Sequence, residues 1–186
     1  MIAAEGGIKL TREEPAWPAF KSETHFGQLP FLKHGEVKVS QSGAIMRYLA
    51  KKANLQGQTD ADFVMSEMLT EEYGDVLNGL GKCQYPPTGA AGRPAAYTAY
   101  FGEDGAARKH LGNIEKLVTA SGGFTSTRTM GELAVVGICV LYTDLEPACL
   151  APFPKLAAFY AAHEANAKKA LDGLSGYYSR SDKEQQ

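Results

Sequence analysis

Cysteine is scarce in this chain. The three present, Cys83, Cys139 and Cys149, are odd in number, form no C-x-x-C and lack metal-ligand spacing, which excludes a disulfide framework and a thioredoxin-type redox motif. Reduced thiols in a reducing compartment are the expectation. Histidine is equally sparse: none of the four stands four residues from another, so no metal is expected. No basic run exceeds Lys51-Lys52 or Lys168-Lys169, and 19 basic against 21 acidic residues leave no electrostatic footprint for nucleic acid. The longest apolar run, Leu133 to Tyr142, is too short to cross a bilayer. Met1 to Glu5 lacks the basic and apolar regions of a secretory signal. Repeats and low-complexity tracts are also missing.

What is present suits a folded core: 186 residues with 44% hydrophobic content can bury one domain or two small ones. Ile8 to Thr11 reads as a short strand and Trp17 to Lys21 as an irregular or helical crossover. Leu29 to Leu32 and Val37 to Val39 read as a hairpin around His34-Gly35. Ser42 to Asn54 has helical spacing, with Ile45 and Leu49 four apart, and Asn54 to Thr59 is a polar, Gly-containing boundary. Beyond it the periods are helical: Asp62 to Cys83, stopped by Pro86-Pro87-Thr88-Gly89, then a helix from Pro94 that Gly102 and Gly105 interrupt. Thr129-Met130-Gly131-Glu132 has the form of a capping box before the apolar helix Leu133 to Leu145, and a last helix runs from Pro152 to about Ala167.

The most informative stretch is Gln28-Leu29-Pro30 followed by Gln41-Ser42. A Pro in an apolar strand pattern has no N–H for a ladder. A cis peptide before it turns the Leu29 backbone outward, where an extended peptide can pair with it. Ser42 stands where a helix cap is expected, and a helix start suits a carboxylate. Read singly, Ser42 is a plain helix cap, Trp17 an aromatic anchor and Lys21 a solvated charge.

Taken together, these residues resemble the glutathione-binding half of the glutathione transferases, close to the sigma-like branch. The resemblance covers nearly the whole chain, densest from Trp17 to Gly57. It implies an α/β thioredoxin-like N-terminal domain, incomplete here, over residues 1–54, a linker at 55–59, an all-α helical C-terminal domain over 60–178, and a polar tail at 179–186. It also implies that Trp17 and Lys21 hold the glycine carboxylate of glutathione, that Gln28 and Leu29, before Pro30, pair with the tripeptide backbone, and that Gln41 and Ser42 take the γ-glutamyl end. An acidic residue crosses a two-fold dimer in this family; Glu71 and Asp75 are the nearest matches, with Gly74 where an Asp is often found.

The family pattern begins with a strand, a loop bearing a Tyr, Ser or Cys, and a long helix, of which Met1 to Glu5 matches only the last turn. No residue inherits the catalytic role by resemblance, so the catalytic group is unassigned, and Ile8 to Thr11 is expected to be displaced, disordered or paired with another chain. Two functions follow. One is a cytoplasmic glutathione transferase, a homodimer that conjugates glutathione to a small electrophile once a catalytic Tyr or Ser is supplied. The other is a noncatalytic subunit of a larger assembly. The electrophile's pocket is expected near Tyr85 and near Tyr177 and Tyr178.

Overall fold

The two-residue loop Gly35-Glu36 closes the expected hairpin, with Gly35 at φ +59, a conformation glycine adopts without steric cost. In the computed structural model, which describes residues 1–171, β1 (Phe31–His34) and β2 (Val37–Ser40) pair antiparallel from Phe31↔Ser40 to His34↔Val37. This is the only sheet among the described residues. Ile8 to Thr11, expected as a strand, belongs to no ladder and runs as irregular backbone. Apolar alternation is a local signal, whereas a strand needs a neighbour whose N–H and C=O groups match its own. Ile8 is anchored instead by its N–H, which donates to Ala3 O at 2.7 Å.

A single turn of helix, α1 (Ile2–Glu5), precedes that segment, and α2 (Ser42–Ala53) follows the hairpin. The two lie so close that a Cβ on Gly6 would sit 2.3 Å from Ala53 Cβ. The sequence places Ser42 at the cap of α2, but the cap position is Gln41 and Ser42 opens the helix itself. Gln41 takes φ 76 and its side chain does not cap the helix. Ile2, Ala3, Leu49, Ala50 and Leu55 form a small core here, and it is completed by Met130 and Leu133 from the helical half.

That half begins with α3 (Asp60–Gln84), two residues earlier than the apolar period suggests, because Thr59 caps it by accepting from Asp62 N at 3.1 Å. Then come α4 (Arg93–Phe101) and α5 (Ala106–Leu117), separated at the expected Gly102 to Gly105 break, followed by α6 (Met130–Leu145) and α7 (Pro154–Leu171). The buried helix α6 is the hub. Gly131 allows its first turn to touch α3, since a Cβ there would lie 2.4 Å from Ser66 O. Val135, Ile138, Cys139 and Tyr142 of α6 pack with Leu69, Val76 and Leu80 of α3 and with Tyr97 and Tyr100 of α4. The expected box at Thr129 forms on one side only. Thr129 Oγ1 accepts from Glu132 N at 3.3 Å, while the Glu132 carboxylate turns to Phe124 N at 2.9 Å and Thr125 N at 3.3 Å.

This arrangement is an α/β N-terminal part of thioredoxin-like type with a small sheet, followed by a helical C-terminal part. The polar tail at 179–186, with Tyr177 and Tyr178, lies outside the described residues.

Candidate functional site

The loop between Trp17 and Pro30 is held by short, local bonds. Thr24 Oγ1 donates to Lys21 O at 3.0 Å and accepts from Gln28 N at 3.1 Å, which curls the backbone back on itself. Gly27, at φ +63, lies under the Lys21 stem, 3.6 Å from a Cβ position to Lys21 Cγ. Lys21 Nζ in turn sits 5.9 Å from the Trp17 ring centroid. Trp17 and Lys21 are therefore neighbours, both exposed. Peptide bonds before both Pro18 and Pro30 are cis; only the second was expected from sequence. Leu29 stands outside the ladder, which starts at Phe31, and is 52% exposed.

Two cross-links tie this loop to the end of the hairpin. His25 Nδ1 and Ser40 Oγ are hydrogen-bonded at 3.0 Å, and Gln41 Nε2 donates to Gln28 Oε1 at 3.3 Å. The second joins two residues singled out from sequence, thirteen positions apart. Gln41 is one of two non-glycine residues at positive φ among those described, and the other, Asn54, merely ends a helix. Strain of this kind costs about 1–3 kcal/mol and clusters at ligand sites. Thus Trp17, Lys21, Gln28, Leu29, Gln41 and Ser42 are all exposed, as is Pro30, and Lys21 with Trp17 and Gln28 with Gln41 are in contact.

Beside that surface lies a cleft of about 540 Å³, walled by Gln41, Ser42 and Gly43 on one side and by Leu77, Asn78, Lys82 and Tyr85 on the other. Its size is ordinary for a small-molecule site. Tyr85 matches the expected pocket position. Asn78 and Lys82 were not singled out from sequence, although their four-residue spacing along α3 puts them on one face.

Glu71 and Asp75 part company. Glu71 accepts from Arg47 of α2, which also bonds Glu67 at 2.7 Å, so Glu71 is engaged within its own chain. Asp75 is exposed and forms no ion pair among the described residues.

Several groups cannot supply a nucleophile or a thiolate partner. Cys83 is buried, and burial pushes its thiol up to about 11. Burial raises Cys139 further still. Tyr100 and Tyr142 bond each other at 2.7 Å inside the core, and burial holds the Tyr100 hydroxyl up at about 12. Among the described residues, the hydroxyls lining the cleft are those of Ser42 and Tyr85. No group of three metal-ligating side chains occurs among the described residues. No helix there is long and apolar enough to cross a membrane.

The glutathione S-transferase N-terminal domain profile matches residues 6–51, the span that holds every one of these loop and hairpin contacts. Glutathione S-transferase 2 of Onchocerca volvulus is 30% identical over 154 residues, covering 76% of this chain and 67% of the relative. Glutathione S-transferase Mu 4 of Mus musculus is 30% identical over 170 residues, covering 87% and 69%. The solved Pi-class glutathione S-transferase of Onchocerca volvulus superposes with a TM-score of 0.77 at 23% identity, over 95% of this chain and 90% of that one. The relatives named are of Mu and Pi class or carry no class, so the likeness carries the family and not the sigma-like branch. A helical half packed behind a hairpin, a Gln28–Gln41 bridge beside a cleft, and 30% identity spread over most of the chain converge on one conclusion: this chain belongs to the glutathione transferase family.

Proposed function

We propose that this chain binds glutathione on the surface formed by Trp17, Lys21, Gln28, Leu29, Gln41 and Ser42, and that the adjoining cleft receives an electrophilic small molecule. The observation that carries this reading is the Gln28–Gln41 hydrogen bond. It brings a peptide-pairing loop and a helix start together at the mouth of the cleft. The exposed Leu29 backbone offers pairing to an extended tripeptide. Ser42 and the free N–H groups at the start of α2 suit the γ-glutamyl carboxylate. Lys21, stacked on Trp17, is the cation for the glycine carboxylate.

Conjugation requires the glutathione thiol to lose its proton, after which sulfur forms a bond to an electrophilic carbon and the carbon gives up its leaving group. A hydroxyl donating to the sulfur would favour the thiolate. Among the described residues, Ser42 and Tyr85 supply the hydroxyls that line the cleft. Glutathione binding is therefore the core of the reading, and turnover depends on a donor at the sulfur.

A homodimer is part of the same proposal. Phe63, Val64 and Met68 on the first turns of α3 are each about half exposed, and Asp75 continues the stripe that Val64 and Met68 begin. A second copy covering that stripe would leave Asp75, rather than the engaged Glu71, to reach across. The same stripe also serves the second reading, a noncatalytic subunit of an assembly. A cytoplasmic location accords with unpaired, buried Cys83 and Cys139.

Calorimetric titration tests the binding claim. Weak glutathione binding, lost or reduced roughly tenfold in Ser42→Ala by removal of a charged hydrogen bond, is expected. Undiminished affinity in both Ser42→Ala and Gln28→Ala would refute it.

A further inference from the structure

Among the described residues lining the cleft between α2 and α3, one carries a charge, Lys82, and none is acidic. Asn78 and Lys82 stand four residues apart on α3, so both present to the same face, and Leu77 lies alongside them. Lys82 is exposed and enters no ion pair among the described residues. Of the carboxylates earlier on α3, Glu71 is held by Arg47, and Asp75 does not line the cleft. Among the described residues the cation thus has no balancing carboxylate in the cleft wall, where it favours an anion and opposes a cation. Leu77 and the ring of Tyr85 add apolar surface to the same wall.

We propose that the second substrate carries a carboxylate or sulfonate that Lys82 and Asn78 receive, with its apolar body against Leu77 and Tyr85. Lys82 is then a specificity-determining residue on the wall opposite Gln41 and Ser42. This rests on the glutathione reading, which assigns the tripeptide's own carboxylates to Trp17 and Lys21 and to Gln41 and Ser42, and leaves Lys82 unassigned.

The test uses two product conjugates, S-(2,4-dinitrophenyl)glutathione and its ring-carboxylated counterpart, titrated calorimetrically into the wild type, Lys82→Met and Lys82→Arg. The carboxylated conjugate is expected to bind the wild type roughly fivefold more tightly, the scale of an exposed ion pair. Raised salt should shrink that preference. It should vanish in Lys82→Met and persist in Lys82→Arg, while the neutral conjugate binds all three alike. Equal binding of the two conjugates by the wild type, or a preference that survives Lys82→Met, would overturn the assignment of Lys82 alone. So would an equal loss of both conjugates in Lys82→Met, which would give Lys82 to glutathione itself. Failure of both conjugates to bind the wild type would overturn the glutathione reading and this inference with it.

Discussion

Asp62 on α3 accepts twice from Ser126, from its backbone N–H and from its hydroxyl, each at 2.7 Å. The bond fastens the loop before α6 to the start of α3. These two hydrogen bonds hold the Asp62 carboxyl well below the usual carboxylate range, at about 2. Since the folded-state value lies below the unfolded one of about 3.9, the stabilisation is full above pH about 4 and is lost as pH falls through about 2. Melting curves recorded between pH 6 and pH 2 should show the wild type losing more thermal stability on acidification than Asp62→Asn. Parallel loss in the two proteins would contradict the assignment.

Gly131 and Ser66 mark the closest approach of α6 to α3. A Cβ at Gly131 would meet Ser66 O at 2.4 Å and Ser66 Cα at 2.6 Å, both backbone atoms that cannot rotate away. Gly131→Ala should cost about 1–3 kcal/mol through overpacking, lowering Tm by roughly 2–4 °C per kcal/mol for a chain of this size. Ser66→Ala removes the acceptor of Gly131 N, a bond of 2.9 Å. It should cost about 1–3 kcal/mol for a buried unpaired N–H. Thermal unfolding of the two variants checks both values.

How far the sequence predicts each element depends on how local its cause is. Gln28, Leu29, Pro30 and Gln41 are marked out in the sequence because the family pattern specifies residue types at fixed separations. The structure puts Gln28 and Gln41 in contact. The one-residue shift at Ser42 arises from the positive φ of Gln41, a backbone state that no composition rule assigns to glutamine. Ile8 to Thr11 has the residues of a strand, but the ladder it would join is a tertiary fact. The Asp62–Ser126 bond spans sixty-four positions and the Glu132 carboxylate reaches back to Phe124 and Thr125, so both depend on folding that brings distant loops together. Lys82 looked like any surface lysine until the cleft gave it a wall.

The cysteines should be inert in the native state. Burial pushes Cys83 up to about 11 and Cys149 to about 12, so scarcely any thiolate exists near neutral pH. A chromogenic disulfide reagent at pH 7.5 should label none of them rapidly until denaturant is added. Fast labelling of Cys83 in the folded protein would revive it as a reactive group.

Gln41→Gly separates stability from binding. Glycine relieves the strain at φ 76, about 1–3 kcal/mol, but raises the backbone entropy cost of folding by about 0.5–1 kcal/mol, so the two terms partly offset. Tm should therefore stay within a few degrees of the wild type. Glutathione affinity should fall on the proposed reading, because Gln28 loses its partner and the proposed γ-glutamyl contact loses an amide.

Glutathione binding is measured most directly by an amide-resolved NMR titration of the isotope-labelled chain with glutathione. The Trp17 indole N–H and the amides of Gln28, Leu29, Gln41 and Ser42 are predicted to shift along one saturating curve, with the amides of α7 unmoved. No shift at millimolar glutathione, or shifts confined to residues away from Trp17, Gln28 and Ser42, would contradict a glutathione site on this surface.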